Sequence, residues 1–249
     1  AKPKTSSAAG AGSESVAGAA VPTGNLPGWN LVYTTDFNGD SLPSGWGAYT
    51  GEPGGDQYGY WDPENVSVSD GELHLRTTPD SDPDQSGAAT SGGVAFYGEP
   101  HTYGMYLVRM KGDYEPGLKM SDIALLWPAD DGTWPPEIDF FEDDGGARSG
   151  YTASLHPGPD GDDCCFIQRT VSNNATEWHT YGVAWTSSSL TYTIDGRVWG
   201  TVTSSQLTGA ASWPDIPMNL DLQSQNLGSA QPGSTETMTV AWVAEYVPS

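Results

Sequence analysis

Three carboxylic acids stand close together in the run Glu137-Ile138-Asp139-Phe140-Phe141-Glu142. They alternate with Ile and Phe, so the run is neither a plain surface strand nor a plain core strand. Strict alternation puts Glu137 and Asp139 on one face and Glu142 on the other. A charge on Glu142 would then point into an apolar layer, which is costly. A β-bulge at Phe140-Phe141 adds one residue and returns Glu142 to the face of Glu137 and Asp139. Three carboxyls on one face cannot all ionise cheaply. At least one keeps its proton near neutral pH and becomes a donor. One ionised and one protonated carboxyl is what glycoside hydrolysis requires. Asp139, between the two Glu, can hydrogen-bond Glu137 and hold its charge and orientation. An acidic cation site is the competing reading of the same spacing.

Elements must position these acids, and composition indicates their type. The chain has 249 residues with 32 Gly, 19 Pro, 10 Trp and 12 Tyr. Strands joined by Gly/Pro turns give this profile. Strand-like runs recur at 31–37, 65–68, 72–77, 103–111, 122–127, 137–142, 151–156, 179–186, 190–194, 218–225 and 237–247, with a hairpin turn at Asp70-Gly71. No window reads as a helix. The expected fold is all-β, an antiparallel sandwich of two sheets. In the run from Met218 to Gln225, Met218, Leu220 and Leu222 share one face, and Asn219, Asp221, Gln223 and Gln225 share the other. The polar face is either plain solvated surface or the lining of a cleft that bonds sugar hydroxyls. Amides and one carboxylate favour the cleft, which makes Asn219 and Gln223 candidate contacts.

Residues 1–26 are rich in Ala, Gly and Ser and read as a disordered leader or linker. Residues 27–249 read as a single catalytic domain. Nine basic against 32 acidic residues give a net charge of -23. Such a surface disfavours nucleic acid and anionic membranes. A neutral polysaccharide is compatible with it, and a monomer is expected. The opening residues resemble a mature chain whose leader has been removed, so a secreted, extracellular location is expected. Cys164 and Cys165 are adjacent, without the nearby His or Cys of a zinc site, and suit a structural role near a loop.

The acid run resembles the signature of glycoside hydrolase family 16, in the version with one extra residue before the last Glu. Tyr103 to Lys111 resembles that family's strand leading into the cleft, and Leu125-Leu126-Trp127-Pro128 its Trp-Pro segment. Trp178 to Trp185 followed by Tyr192 to Gly196 resembles its late hairpin. Asp36-Phe37-Asn38-Gly39 and Asp70-Gly71-Glu72-Leu73 fit its opening strands. The likeness runs from about Trp29 to the end of the chain. It implies a β-jelly roll with a concave cleft and a retaining endo-hydrolase. Glu137 would be the nucleophile, Glu142 the general acid/base and Asp139 the helper. The implied substrate is a β-1,3- or β-1,3-1,4-glucan, with a bacterial exopolysaccharide or a galactan as alternatives. A glycan-binding jelly roll without turnover is a further alternative, against which the three intact acids argue.

Sugar rings present C–H faces to aromatic rings. Trp127 and Trp134 flank the acid strand and match cleft aromatics of the family. Tyr60 and Trp61 are further aromatic candidates. The resemblance also implies roles for His156, on the strand after the acids, and for Arg109, at a position that can reach the glycan. Two departures stand out. Ala241 occupies the place of an Asp that helps bind a structural calcium in the family, which puts that calcium site in doubt; no cofactor is required, and a structural calcium stays an open alternative. Pro136 precedes Glu137 where the family usually has Gly.

Overall fold

The computed structural model describes residues 20–51, 59–79, 89–114, 120–159, 165–226 and 235–249. In chain order the strands are β1 (Trp29–Thr35), β2 (Trp46–Ala48), β3 (Gly59–Trp61), β4 (Val66–Ser69), β5 (Glu72–Thr78), β6 (Ala89–Ser91), β7 (Gly93–His101), β8 (Gly104–Gly112) and β9 (Met120–Pro128). They continue as β10 (Glu137–Asp143), β11 (Gly150–His156), β12 (Ile167–Ser172), β13 (His179–Trp185), β14 (Ser189–Ile194), β15 (Arg197–Thr203), β16 (Met218–Asn226) and β17 (Glu236–Pro248). Among the described residues, helical structure is confined to short 3-10 turns such as Asp131–Thr133 and Ser204–Gln206. Among the described residues no helix is long and apolar enough to cross a membrane.

Two open sheets face each other. A seven-stranded sheet runs β12-β11-β10-β9-β16-β7-β2. A ten-stranded sheet runs β15-β14-β13-β8-β17-β5-β6-β3, with β1 on β17 and β4 on β5. Pairing is antiparallel except between β3 and β6. The expected all-β sandwich is the fold observed.

Period-2 alternation builds the core. Tyr106, Val108 and Met110 of β8 and Leu73 and Leu75 of β5 meet Ala124 and Leu126 of β9, Ile138 and Phe140 of β10, and Leu220 and Leu222 of β16. A second apolar cluster lies on the other face of the ten-stranded sheet. There Leu107, Trp242, Ala244 and Tyr246 are covered by Val21, Leu26, Trp29 and Leu31. Val21 and Leu26 therefore belong to packed structure, although composition placed the segment up to residue 26 outside it. Two apolar side chains in a polar tract are enough to dock a short segment when the sheet offers an apolar face.

A buried charged cluster ties the two sheets together at one end. Arg148, between β10 and β11, meets Asp122 of β9 at 3.0 Å, Asp143 of β10 at 2.5 Å, and Glu236 of β17. Its Nε donates to the carbonyl of Asp113 at 2.7 Å. The end of β8 must be glycine to allow this, because a Cβ on Gly112 would come within 2.3 Å of Asp122 Oδ2 and 2.7 Å of Arg148 Nε.

Candidate active site

The bulge required by the acid strand is present. On the β11 side Asp139 pairs with Ser154 and Glu142 with Thr152, so three steps on β10 match two on β11. On the β9 side Asp139 pairs with Leu125 and Phe141 with Ala124. Phe140 is the extra residue. Phe140 and Phe141 are 0% and 1% exposed, so both rings enter the core. The Phe141 ring sits 4.5 Å from Tyr151 and 4.4 Å from Tyr181, the latter on the opposing sheet. Burial of two consecutive rings favours the bulge, and the bulge turns Glu142 back to the outward face.

On that face the side chains form rows that cross the strands. One row runs His156, Glu137, Trp127, Asn219, following the pairings of β11, β10, β9 and β16. The next runs Ser154, Asp139, Leu125, Asp221, and the third Thr152, Glu142, Ile123, Gln223. The structure thus brings Glu137, Asp139, Glu142, Trp127, His156, Asn219 and Gln223 to one surface. Asn219 and Asp221 are only 3% and 7% exposed, so the polar face of β16 is recessed rather than freely solvated. Gln223 Nε2 donates to Gln225 Oε1 at 3.0 Å.

Each acid has its own environment. Trp134 Nε1 donates to Glu137 Oε2 at 2.8 Å. Asp130 caps the 3-10 turn that carries the chain to Trp134, accepting from Gly132 N at 3.2 Å. His156 Nε2 pairs with Asp139 Oδ2 at 3.0 Å. Burial, then the charge of Asp139, pushes Glu137 up to about 9, while Trp134 and His156 pull it down. Burial and the same Asp139 charge push Glu142 up to about 7, again opposed by His156. The cluster therefore keeps protons at neutral pH, as like charges in a partly dry site must. Glu137 and Asp139 share a side-chain hydrogen bond.

Trp134 is 41% exposed and its ring lies parallel to Trp127, with centroids 6.2 Å apart. The two indoles flank Glu137 and offer flat apolar surface beside it. On the β7 side, Tyr49 donates to Asp221 Oδ2 and lies over Gly93, where a Cβ would come within 2.3 Å of its ring. Trp61 meets Tyr49 edge-on at 5.2 Å. The Tyr49–Asp221 contact links residues 172 apart in sequence. The even spacing of the β16 polar face was the available signal for Asp221, whereas Tyr49 follows a three-residue strand and carried none.

Two candidates lie elsewhere. Arg109 is on β8 of the other sheet. Tyr106, Val108 and Met110 take the core positions, so alternation turns Arg109 outward. Its guanidinium lies 5.8 Å from the Trp178 ring centre and donates to Thr180 Oγ1 at 3.5 Å. The expected glycan contact by Arg109 is corrected accordingly. Tyr60 is half-buried on β3, and alternation sets it on the opposite face from Trp61, the residue that meets Tyr49.

Ala241, which stands where the family has its calcium-binding Asp, offers no side-chain oxygen to a cation. Ala241 lies at an irregularity between Val240 and Trp242 in the β17–β8 pairing, in the apolar cluster with Trp29 and Leu31. Among the described residues, no group of three or more His, Cys, Asp or Glu side chains is arranged to hold a metal. Cys165 is disulfide-bonded, and Cys164 lies outside the described residues.

Comparison with known proteins agrees with this geometry. The endo-1,3-1,4-beta-glycanase EglC of Rhizobium meliloti (strain 1021) is 31% identical over 134 residues, covering 52% of this chain and 28% of its own length. Glucan endo-1,3-beta-glucosidase A1 of Niallia circulans is 24% identical over 274 residues, covering 89% of this chain and 38% of its own length. The chain thus spans well under half the length of these curated relatives. The catalytic domain of an endo-1,3-beta-glucanase (laminarinase) from Thermotoga petrophila RKU-1 superposes with a TM-score of 0.75 at 20% identity, covering 88% of this chain and 98% of that one. That likeness establishes the jelly-roll fold. The family model described as glycosyl hydrolases family 16 matches residues 54–244, and the chain belongs to that family.

Proposed function

We propose that this chain is an endo-acting, retaining glycoside hydrolase for a neutral β-glucan with β-1,3 or mixed β-1,3-1,4 linkages. The observation that carries the reading is the bulge at Phe140, which sets Glu137, Asp139 and Glu142 on one recessed face. In the proposed reaction Glu137 attacks the anomeric carbon as a carboxylate while the bond to the leaving sugar oxygen breaks. Glu142 gives its proton to that oxygen. Water then attacks the glycosyl ester and passes a proton back to Glu142, which releases the sugar and restores Glu137.

Glu137 must be an anion to attack. The Trp134 N–H donates to that carboxylate and stabilises its charge. His156 then holds Asp139 in place from the other side. The Trp127–Trp134 platform supports the sugar faces, and the amides of Asn219 and Gln223 suit hydroxyls. The relatives named for 1,3- and 1,3-1,4-linked glycans support the substrate class. A polymer of this kind is met outside the cell, where we place the enzyme, acting as a monomer.

The test is hydrolysis of β-1,3-glucan and mixed-linkage β-glucan, with product sizing and NMR of the first-formed anomer. Internal cleavage with retained β-configuration is expected. Glu137→Gln is expected to lose turnover while keeping its melting temperature and its affinity for glucan. Wild-type turnover in Glu137→Gln, or a first-formed α-anomer, would sink the assignment.

A further inference from the structure

Of the five phenylalanines, Phe37, Phe96, Phe140 and Phe141 are between 0% and 4% exposed, whereas Phe166 is 42% exposed. Its position is specific. The β11–β12 pairing sets Leu155 against Ile167, so Phe166 continues the row beyond His156. Its ring centroid is 4.9 Å from that of His156. The row then reads Phe166, His156, Glu137, Trp127, Asn219 across the sheet. Glu137 has Trp127 as its neighbour on one side, and His156 then Phe166 on the other.

The ring is held in place. Ile167 is paired into β12 on one side of it. On the other, the Cys165 Sγ lies 2.8 Å from the Thr208 carbonyl. Cys165 also adopts a left-handed backbone at φ 74°, which turns the chain sharply just before the ring. An anchored, half-open aromatic ring loses little entropy when a ligand covers it.

We infer that Phe166 is a remote sugar-stacking subsite, binding a neutral pyranose of the polysaccharide at the β12 end of the cleft. It rests on the proposed function for the identity of the polymer. Two strand spacings separate Phe166 from Glu137, roughly 10 Å, so the sugar on Phe166 is not the one being attacked. The ring supplies an apolar face for sugar C–H groups, and the His156 ring beside it extends that surface. Phe166 therefore reads chain length and strengthens binding of long substrates over short ones.

Calorimetric titration tests this with β-1,3- and mixed-linkage gluco-oligosaccharides of increasing length, using Glu137→Gln so that nothing is cleaved. Adding Phe166→Ala is expected to weaken the long oligosaccharides roughly fivefold and to leave the shortest binders unchanged. Phe166→Tyr keeps the ring and is expected to restore affinity. Unaltered melting of Phe166→Ala serves as the folding control. Equal weakening at every length, or none at any length, overturns the subsite. If the wild-type chain cleaves these oligosaccharides but length dependence is absent, the subsite fails and the proposed function stands. If length-dependent binding holds but the wild-type chain cleaves nothing, the function fails and the subsite stands. No binding at all sinks both.

Discussion

Trp134 Nε1 donates to Glu137 Oε2 at 2.8 Å, across only three residues of sequence. The same side chain that exposes its ring beside the acid strand also holds the carboxyl proposed as the nucleophile. Trp134→Phe separates these roles, keeping an aromatic face and removing the donor. Loss of a hydrogen bond to a charged group costs about 1.5–3 kcal/mol. kcat is expected to fall roughly tenfold to a hundredfold, with a smaller change in KM. A rise confined to KM, with kcat unchanged, would show that the ring alone matters.

Glu142 is pushed up to about 7 by burial and by the Asp139 charge. In the proposed reaction the protonated form is the donor, which is abundant below that value and is lost as pH rises through it. kcat/KM is expected to decline on the alkaline side with an apparent pKa near 7. Glu142→Gln is expected to lose far more activity on natural glucan than on an aryl glycoside whose leaving group needs no proton. Equal losses on both substrates would remove Glu142 from the acid role.

Arg148 faces three buried carboxylates, from Asp122, Asp143 and Glu236. Asp122 and Asp143 sit on the sheet of the site, and Glu236 on the other. Arg148→Met would leave these acids without their cation, at a cost of about 3–5 kcal/mol. Urea denaturation reads this directly. A change below about 1 kcal/mol would show that the acids neutralise themselves by taking up protons.

Glu245 is buried in the core and pushed up from 4.5 to about 8 by burial, with Glu99 adding to the shift. Between those values the folded chain holds a proton that the unfolded chain has released. This stabilising contribution is full below about 4.5 and is lost as pH rises toward 8. Glu245→Gln cannot ionise. It is expected to melt roughly 2–6 °C above the wild type at pH 8.5, with the gap closing at pH 4. Parallel melting curves across this range would refute the assignment.

Much of the site was legible in local pattern. Acids interleaved with Ile138, Phe140 and Phe141 demanded a bulge, because a charged Glu142 facing the core is too costly. The alternation from Met218 to Gln225 separated core side chains from cleft side chains before any neighbour was known. Short strands such as β2, β3 and β6 escaped notice, since three residues carry no measurable period. The segment holding Val21 and Leu26 also escaped, because its docking depends on a face of β17 far away in sequence.

Sequence by itself thus determined that Glu137, Asp139 and Glu142 must share a face. Period and burial cost are local properties, so they can be read along one strand. Only the tertiary structure decided which strands adjoin. That choice set Arg109 against Trp178 on the other sheet, drew Tyr49 onto Asp221, and left Phe166 open beside His156. Strand order follows from how two whole sheets pack, and no single strand contains that information.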